Sequence, residues 1–149
     1  MEIILSNLVK MKLILIEKKL FIFSSLLFLE SAFLIYFSFL PSYDIPTIHI
    51  PFLRPGDFEH FIAYLIYGIL LFGTLKFNGL NKYEFLTAMI IVSFFAGLTE
   101  VIQFFVPTRF LDPIDWLIDI FGSSTGIYVF NLFLLKDKMY AICFHKNTK

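Results

Sequence analysis

Four runs of apolar residues, each about as long as a membrane-crossing helix, dominate this sequence. They cover about residues 20–40, 58–75, 84–106 and 113–135. An α-helix needs about 20 residues to cross a hydrocarbon core about 30 Å thick; all four runs qualify, the second marginally. The strands of membrane barrels are only about 10 residues long and alternate in polarity, unlike these runs. The sequence therefore predicts an all-α membrane protein, with four transmembrane helices in a single domain over residues 1–149.

The composition points to the same class of protein. Hydrophobic residues make up 58% of the chain, and phenylalanine alone occurs 21 times. A soluble domain is about 45–50% apolar even when glycine is counted. The formal net charge is zero, so we expect membrane lipids rather than nucleic acid as partners. The single cysteine, Cys143, excludes an internal disulfide framework.

The segment before the first run, residues 1–19, is apolar and carries four lysines. Two interpretations of it stay open. It could lie along the membrane interface as an amphipathic helix. Alternatively, translation starts at Met11, and the residues after it are an ordinary N-terminal flank.

The basic residues predict how the helices are oriented. All ten lysines precede the first run, lie between the second and third, or follow the fourth, whereas Arg54 and Arg109 lie in the other two connections. Basic residues near helix ends collect on the cytoplasmic side of a membrane. We therefore expect a multi-pass protein of the cell membrane with both termini in the cytoplasm.

Capping residues mark where three of the helices begin. Asn81 followed by Glu84 predicts a capping box at the third helix. Asp112 before Pro113 predicts an N-cap followed by proline at the first helical position. Asp57 follows a Pro-Gly pair and is either the N-cap of the second helix or part of a site.

Polar residues interrupt the apolar runs in three clusters. These clusters are Asp57, His60 and Tyr64; Glu100 and Gln103; and Arg109, Asp112, Asp115 and Asp119. Ionisable side chains inside membrane helices are costly and usually face a polar cavity or a partner. The predicted topology brings all three clusters to the same membrane leaflet. We therefore expect a cavity open to the outside, lined by His60, Glu100, Arg109 and Asp115.

The fourth run carries its polar residues and two glycines on one helical face. Positions 112, 115, 119, 122 and 126 are spaced by three or four residues, which places them along one stripe. Gly122 and Gly126 form a G-x-x-x-G pattern, which permits the close approach of another helix. We expect carboxylates at the outer end of this helix and tight packing below them.

The order and spacing of these polar residues and glycines resemble the motif pattern of the VanZ-like family. The resemblance rests on His60-Phe61-Ile62-Ala63-Tyr64, Glu100-Val101-Ile102-Gln103, Pro107-Thr108-Arg109, Asp115, and Gly122 with Gly126. The family pattern is H-F-x-x-Y, E-x-x-Q, P-G-R, D, N and G-x-x-x-G. The similar region covers about residues 57–126, nearly half of the chain.

The resemblance implies a small multi-pass protein of the cell envelope, with a link to resistance against the glycopeptide antibiotic teicoplanin. It implies no particular reaction. This chain departs from the family pattern at three places: Gly56 and Asp57 replace an acidic–basic pair, Thr108 replaces glycine, and Asp119 replaces asparagine. The departures put a shared role of positions 57 and 119 in doubt.

Each polar residue has a functional and a structural interpretation. We assign candidate catalytic roles to His60, Glu100, Arg109 and Asp115, and candidate binding roles to Asp57, Tyr64, Gln103, Asp112 and Asp119. The structural interpretation pairs Glu100 with Arg109, since an embedded carboxylate is either protonated or paired. It makes Asp112 a helix cap and Tyr64 an aromatic core residue.

Two classes of function fit these residues. One is a non-catalytic protein that binds an envelope lipid, a lipid-linked molecule or a cell-wall ligand. The other is a membrane enzyme that uses acid–base or metal-assisted chemistry on such a substrate, with His60 or Glu100 as general base. Carboxylates with one imidazole suit magnesium, manganese or zinc, so a divalent metal is compatible but not specified. A transporter is disfavoured because no inverted repeat is evident, and the oligomeric state is not predicted.

Overall fold

The computed structural model describes residues 2–45, 48, 54–79 and 83–146, with side chains described for 6–7, 9–45, 48, 54–79 and 83–136. In this part of the chain it contains four α-helices and one short 3-10 helix. The α-helices are α1 (Glu2–Ser38), α2 (Asp57–Phe77), α3 (Glu84–Phe104) and α4 (Pro113–Lys146), and the 3-10 helix is Ser42–Asp44. The prediction of an all-helical fold is confirmed.

All four helices are long and apolar enough to cross a membrane. The qualifying segments are Val9–Ser38, Asp57–Phe77, Glu84–Phe104 and Pro113–Lys136. The predicted bounds agree within about two residues for α2 and α3 and for the start of α4. The first segment begins eleven residues before the expected residue 20, and α4 continues to Lys146 instead of ending near residue 135. Residues 2–19 continue the first membrane helix without a break. The four helices fit a multi-pass membrane protein.

The polarity of the helix bundle is that of a protein surrounded by lipid. Large apolar side chains face outward on every helix: Phe28, Phe94 and Phe121 are 72%, 74% and 66% exposed. Buried polar residues lie inside, among them Glu100 and Asp119. A lipid environment accepts the apolar exterior, and the polar groups avoid hydrocarbon by facing inward.

Helix α2 lies at the centre of the bundle and packs closely against α4. A Cβ atom added at Gly122 would lie 2.5 Å from the carbonyl oxygen of Phe61, and one added at Gly126 would lie 2.1 Å from that of Leu65. Gly68 of α2 has the same restriction, at 2.4 Å from the carbonyl oxygen of Ser123. The predicted G-x-x-x-G contact is therefore present, and its partner is α2.

Four helix ends meet at one end of the bundle, which we call the pocket end. Here α1 and α3 end, and α2 and α4 begin. The short α3–α4 connection turns at Thr108, whose φ of 74° is positive although it is not glycine. The Thr108 hydroxyl accepts a hydrogen bond from the backbone N–H of Ser42 at 3.3 Å. This contact joins the segment after α1 to the α3–α4 connection.

The helix caps agree only in part with the prediction. Asp112 Oδ1 accepts a hydrogen bond from the N–H of Ile114 at 2.8 Å, which confirms Asp112 as the N-cap of α4. Asp57 is not an N-cap, because Gly56 precedes α2 with a φ of 99° and Asp57 is the first helical residue. Helix α3 begins at Glu84 with Tyr83 as its N-cap. Glu84 is therefore the first helical residue and not the third, so the predicted capping box is wrong, and Asn81 lies outside the described residues.

We predict that Gly126→Ala lowers the stability of the protein by about 1–3 kcal/mol, the usual cost of overpacking a well-packed contact. The added methyl group would overlap the Leu65 carbonyl oxygen, which belongs to the α2 backbone and cannot rotate away. Thermal unfolding in detergent measures the change.

Gly97→Ala is the matched control. The nearest atom to a Cβ at position 97 is Trp116 Nε1, at 3.9 Å. Alanine is also favoured over glycine inside a helix by about 1 kcal/mol. We therefore expect Gly97→Ala to be neutral or stabilising. Equal stability of the two variants would contradict the close α2–α4 packing.

Candidate functional site

The structure places all nine predicted site residues at the pocket end. They come from the first turns of α2, the last turns of α3, the α3–α4 connection and the first turns of α4. A cavity of about 500 Å³ opens between these elements and α1. Its wall includes six of the nine: His60, Tyr64, Gln103, Arg109, Asp112 and Asp115. Asp57, Glu100 and Asp119 are not part of the lining.

Arg54 holds the outer part of this end together. Its guanidinium contacts Asp57 at 2.9 Å, Asp112 at 2.7 Å and Asp115 at 2.7 Å. We call these four residues the Arg54 cluster. The cluster links the loop before α2 to the first turns of both α2 and α4. Asp57 also accepts a hydrogen bond from the backbone N–H of Arg54.

The charges in the Arg54 cluster stabilise one another. Hydrogen bonds to Asp57 and Asp112 raise the pKa of Arg54 well above its ordinary value, so it stays positively charged. The pKa of Asp112 is lowered, first by the hydrogen bond from the Ile114 backbone and second by Arg54. Arg54 was not among the predicted site residues. The sequence signal that points to it is that several carboxylates share this end of the bundle with the two arginines of the chain.

Glu100 and Arg109 do not form the predicted ion pair. Glu100 is buried, and its Oε2 accepts a hydrogen bond from the backbone N–H of Asp112 at 3.1 Å. Arg109 instead donates from Nη2 to the Phe37 carbonyl oxygen at 3.3 Å. The prediction is wrong because Glu100 satisfies a backbone donor of the α3–α4 connection, while the Arg109 side chain extends toward α1.

Arg109 lacks an acidic partner among the described residues. No described carboxylate lies within ion-pair distance of it, and its Nε is buried without a hydrogen-bond partner. Burial lowers the pKa of Arg109, and the more distant charges of Glu100 and Asp115 partly oppose that effect. Arg109 is thus a half-buried cation on the cavity wall with free hydrogen-bonding capacity.

His60 and Asp119 are paired beneath the Arg54 cluster. His60 Nδ1 lies 2.9 Å from Asp119 Oδ1, and the Asp119 side chain is fully buried. This contact depends on the close approach of α2 and α4 described above. Asp119 therefore sits deeper than Asp112 and Asp115, as its position on the α4 stripe predicts.

Tyr64 lies on the cavity wall and in the core. Its hydroxyl lies 2.6 Å from Thr99 Oγ1, which itself donates to the Ala96 carbonyl oxygen at 2.8 Å. Because Thr99 has only one hydroxyl proton, Tyr64 must be the donor in the first contact. Ser123 donates to the backbone carbonyl of Tyr64 at 2.9 Å. The structural interpretation of Tyr64 therefore applies, although it also borders the cavity.

Gln103 and Glu59 complete the polar wall. Gln103 is buried on the last turn of α3. Glu59, which the sequence analysis did not select, borders the cavity and accepts a hydrogen bond from the backbone N–H of Ile48. Glu59 is next to His60 in the sequence. Acidic residues are common in the first turn of any helix, so this position alone did not indicate a role in the cavity.

Three of the described residues have the geometry of metal ligands. One potential ligand atom each of His60, Glu100 and Asp119 lies within 4.8 Å of those of the other two. We call these residues the buried triad. Asp115, a candidate catalytic residue, belongs to the Arg54 cluster instead.

The fold and the site together define a class: a four-helix membrane protein with a polar cavity at one end of the bundle. In a comparison with known proteins, no family model, no curated protein and no solved structure matches the chain.

We predict that Arg54→Gln destabilises the protein at about pH 7 by about 1 kcal/mol, since each ion pair of a half-exposed arginine contributes only a few tenths to 1 kcal/mol. The lowered pKa of Asp112 means that its contribution is present above its ordinary pKa and is lost as the pH falls through the lowered value. The difference between variant and wild type should therefore shrink toward about pH 3.

Thermal unfolding at both pH values tests this expectation. Arg54→Lys serves as a control that keeps the charge but loses the forked donors, and we expect an intermediate stability. A loss of stability that is the same at both pH values would show that Arg54 acts by packing rather than by charge.

Proposed function

We propose that this chain is an integral membrane protein of the cell envelope whose cavity binds an amphiphilic molecule with an anionic head group. A lipid-linked or cell-wall molecule has this chemistry. The observation that carries the proposal is the half-buried Arg109 on the cavity wall, which has no acidic partner among the described residues.

The two walls of the cavity suit the two parts of an amphiphile. The α1 side is apolar and contributes Phe33, Leu34 and Phe37. The opposite side is polar and contributes residues such as His60 and Gln103. Ligand sites commonly combine a largely apolar wall with a few placed polar groups that orient the ligand. An acyl or prenyl chain would contact α1, and its head group would face α2, α3 and α4.

Arg109 is suited to an anionic head group. A guanidinium binds phosphate or carboxylate through two parallel hydrogen bonds. Its Nη2 is held by the Phe37 carbonyl, while its buried Nε has no partner. By contrast, three carboxylates of the protein already pair with Arg54 and neutralise its charge. We therefore assign the head-group contact to Arg109 rather than Arg54.

The pocket end would face the outside of the cell. All ten lysines lie at positions 10–19, 76–82 and 136–149, and the described ones belong to the first half of α1, the last turn of α2 and the C-terminal part of α4. These positions belong to the opposite end of the bundle, and the positive-inside rule assigns that end to the cytoplasm. The ligand would then come from the outer leaflet.

The resemblance to the VanZ-like family supports an envelope role. The family pattern has glycine where this chain has Thr108, and Thr108 adopts a φ of 74°, which glycine tolerates far better. Position 108 thus has a backbone suited to the family residue, although this chain has threonine there. On this basis we extend the proposal to an envelope function linked to glycopeptide resistance.

An enzyme acting on the same molecule is the second candidate. The observation that favours it is the His60–Asp119 pair, in which a buried carboxylate lies 2.9 Å from the imidazole of a cavity-lining residue. With the proton on Nδ1, His60 would donate to Asp119 and leave Nε2 to exchange a proton with the ligand. The two candidates differ in whether the bound molecule is recovered unchanged.

We predict that the purified protein binds a long-chain alkyl phosphate and that Arg109→Gln weakens this binding by about tenfold or more. A hydrogen bond to a charged group contributes about 1.5–3 kcal/mol, and 1.4 kcal/mol corresponds to a factor of ten. Competition with a fluorescent analogue of the probe in detergent measures the affinity.

Two controls make this test specific. Lys76→Gln removes one positive charge from the opposite end of the bundle, where Lys76 pairs with Glu84, and should leave the affinity unchanged. The alkyl alcohol with the same chain should bind wild type and Arg109→Gln equally. If Arg109→Gln and wild type bind the phosphate equally, Arg109 does not recognise the head group.

Labelling of single cysteines with a membrane-impermeant maleimide tests the orientation. In a Cys143→Ser background, Tyr43→Cys reports on the pocket end, where Tyr43 is 75% exposed, and Asn78→Cys reports on the opposite end. We expect Tyr43→Cys to react in intact cells and Asn78→Cys to react only after permeabilisation. The reverse pattern would place the pocket in the cytoplasmic leaflet.

A further inference from the structure

The buried triad brings one imidazole and two carboxylates together in the interior of the bundle. The potential ligand atoms of His60, Glu100 and Asp119 lie within 4.8 Å of one another. Three separate helices, α2, α3 and α4, each contribute one residue. Such convergence is not produced by spacing along a single helix, and it places three side chains of metal-ligating type around one point.

Both carboxylates of the buried triad keep an oxygen without a partner. Asp119 Oδ2 and Glu100 Oε1 are buried and accept no hydrogen bond from any described residue. The two residues are 0% and 3% exposed. Buried carboxylate oxygens normally have partners, because an unsatisfied buried acceptor costs about 1–3 kcal/mol and more when it is charged. Two such oxygens in one cluster indicate a missing positive partner.

The arginines of the pocket end do not supply that partner. Arg54 is committed to the three carboxylates of its own cluster. Arg109 interacts electrostatically with Glu100 but does not form an ion pair with it. His60 is the remaining basic group among the described residues of the pocket end, and it contacts only one oxygen of Asp119. A divalent cation would neutralise both carboxylates at once.

We propose that His60, Glu100 and Asp119 bind one divalent metal ion, and that zinc fits them best. The mixed set of one nitrogen and two oxygens suits zinc, whereas magnesium and calcium prefer oxygen alone. Ligand atoms of a tetrahedral zinc ion with bonds of about 2.1 Å lie about 3.4 Å apart, so the 2.9 Å between His60 Nδ1 and Asp119 Oδ1 would lengthen by about 0.5 Å when the ion binds.

The same pair of atoms can share a proton when no metal is bound. In that state the 2.9 Å contact is a hydrogen bond. A shared proton and a metal ion therefore exclude each other at His60 Nδ1.

Three protein ligands leave zinc with an open coordination position. His60 borders the cavity, so this is the side from which the ion and a further ligand would reach the site. The metal site goes beyond the proposed head-group contact at Arg109 and does not rest on it. A metal titration without any lipid can fail while the Arg109 experiment succeeds, and the reverse also holds.

Isothermal titration calorimetry with zinc tests the proposal. The protein is purified in detergent with an affinity tag that contains no histidine and is stripped with a chelator. We expect a saturable heat signal with one zinc per chain. Asp119→Asn and Glu100→Gln should each weaken binding at least about tenfold.

Glu30→Gln is the matched control, because Glu30 is a partly buried carboxylate within the first membrane segment and is not a member of the buried triad. It should bind zinc as the wild type does. A His60→Gln, Glu100→Gln, Asp119→Asn triple variant reveals zinc held by other histidines. Equal zinc binding by the wild type and the triple variant would overturn the proposal.

Cobalt binding provides a second measurement, which uses only the wild-type protein and therefore does not depend on whether the variants fold. Cobalt bound by an imidazole nitrogen and carboxylate oxygens gives visible absorption bands, which zinc should bleach by displacement. We expect these bands at one cobalt per chain, together with a rise in the thermal unfolding midpoint when zinc is added. Their absence in the wild-type protein, with no thermal shift, would equally overturn the proposal.

Discussion

The close approach of α2 and α4 is the contact on which the pocket end depends. Gly122 and Gly126 let α4 lie against the carbonyl oxygens of Phe61 and Leu65, and no side chain separates the two helices there. In a lipid environment, packing of this kind replaces the hydrophobic effect as the force that holds helices together. It also brings Asp119 within 2.9 Å of His60. Without that approach the Asp119 carboxylate would have no partner on α2.

The two arginines of the pocket end illustrate how partners, rather than residue type, determine a role. Arg54 lies in the loop before α2 and is surrounded by three carboxylates, so its charge is used within the protein. Arg109 lies in the α3–α4 connection, reaches toward α1 and contacts a carbonyl oxygen. A carbonyl satisfies one donor but does not neutralise a guanidinium. The first arginine therefore stabilises the fold, whereas the second is available to an anion.

The proposed metal site at the buried triad and the proposed head-group contact at Arg109 have opposite charges. The buried triad has two carboxylates and lacks a described cation, while Arg109 is a cation that lacks a described anion. A divalent metal ion would neutralise the carboxylates of the buried triad, and the anionic head group of a ligand would neutralise Arg109. The metal's open position would be accessible from the cavity. This arrangement also gives the enzyme candidate a concrete form, since a metal ion polarises a bound phosphate or acyl group and activates water.

How much could be predicted from the sequence depends on the range of the interaction involved. The number of helices, the bounds of α2 and α3 within about two residues, the Asp112 cap and the face of α4 with its glycines were predictable. These features follow from hydrophobic length, helical spacing and contacts within a few residues. The gathering of nine polar residues at one end also followed, because antiparallel helices of similar length place their ends together.

Tertiary structure alone decided which of these polar groups meet. Sequence reasoning paired Glu100 with Arg109 and overlooked Arg54, yet Glu100 accepts the Asp112 N–H and Arg54 holds Asp57, Asp112 and Asp115. Ion pairs and metal sites act over a few ångströms and depend on how each helix is rotated. That rotation is set here by the α2–α4 backbone contact. The sequence thus determined four membrane helices with a shared polar end. The packing of their backbones determined the buried triad and left Arg109 without an acidic partner among the described residues.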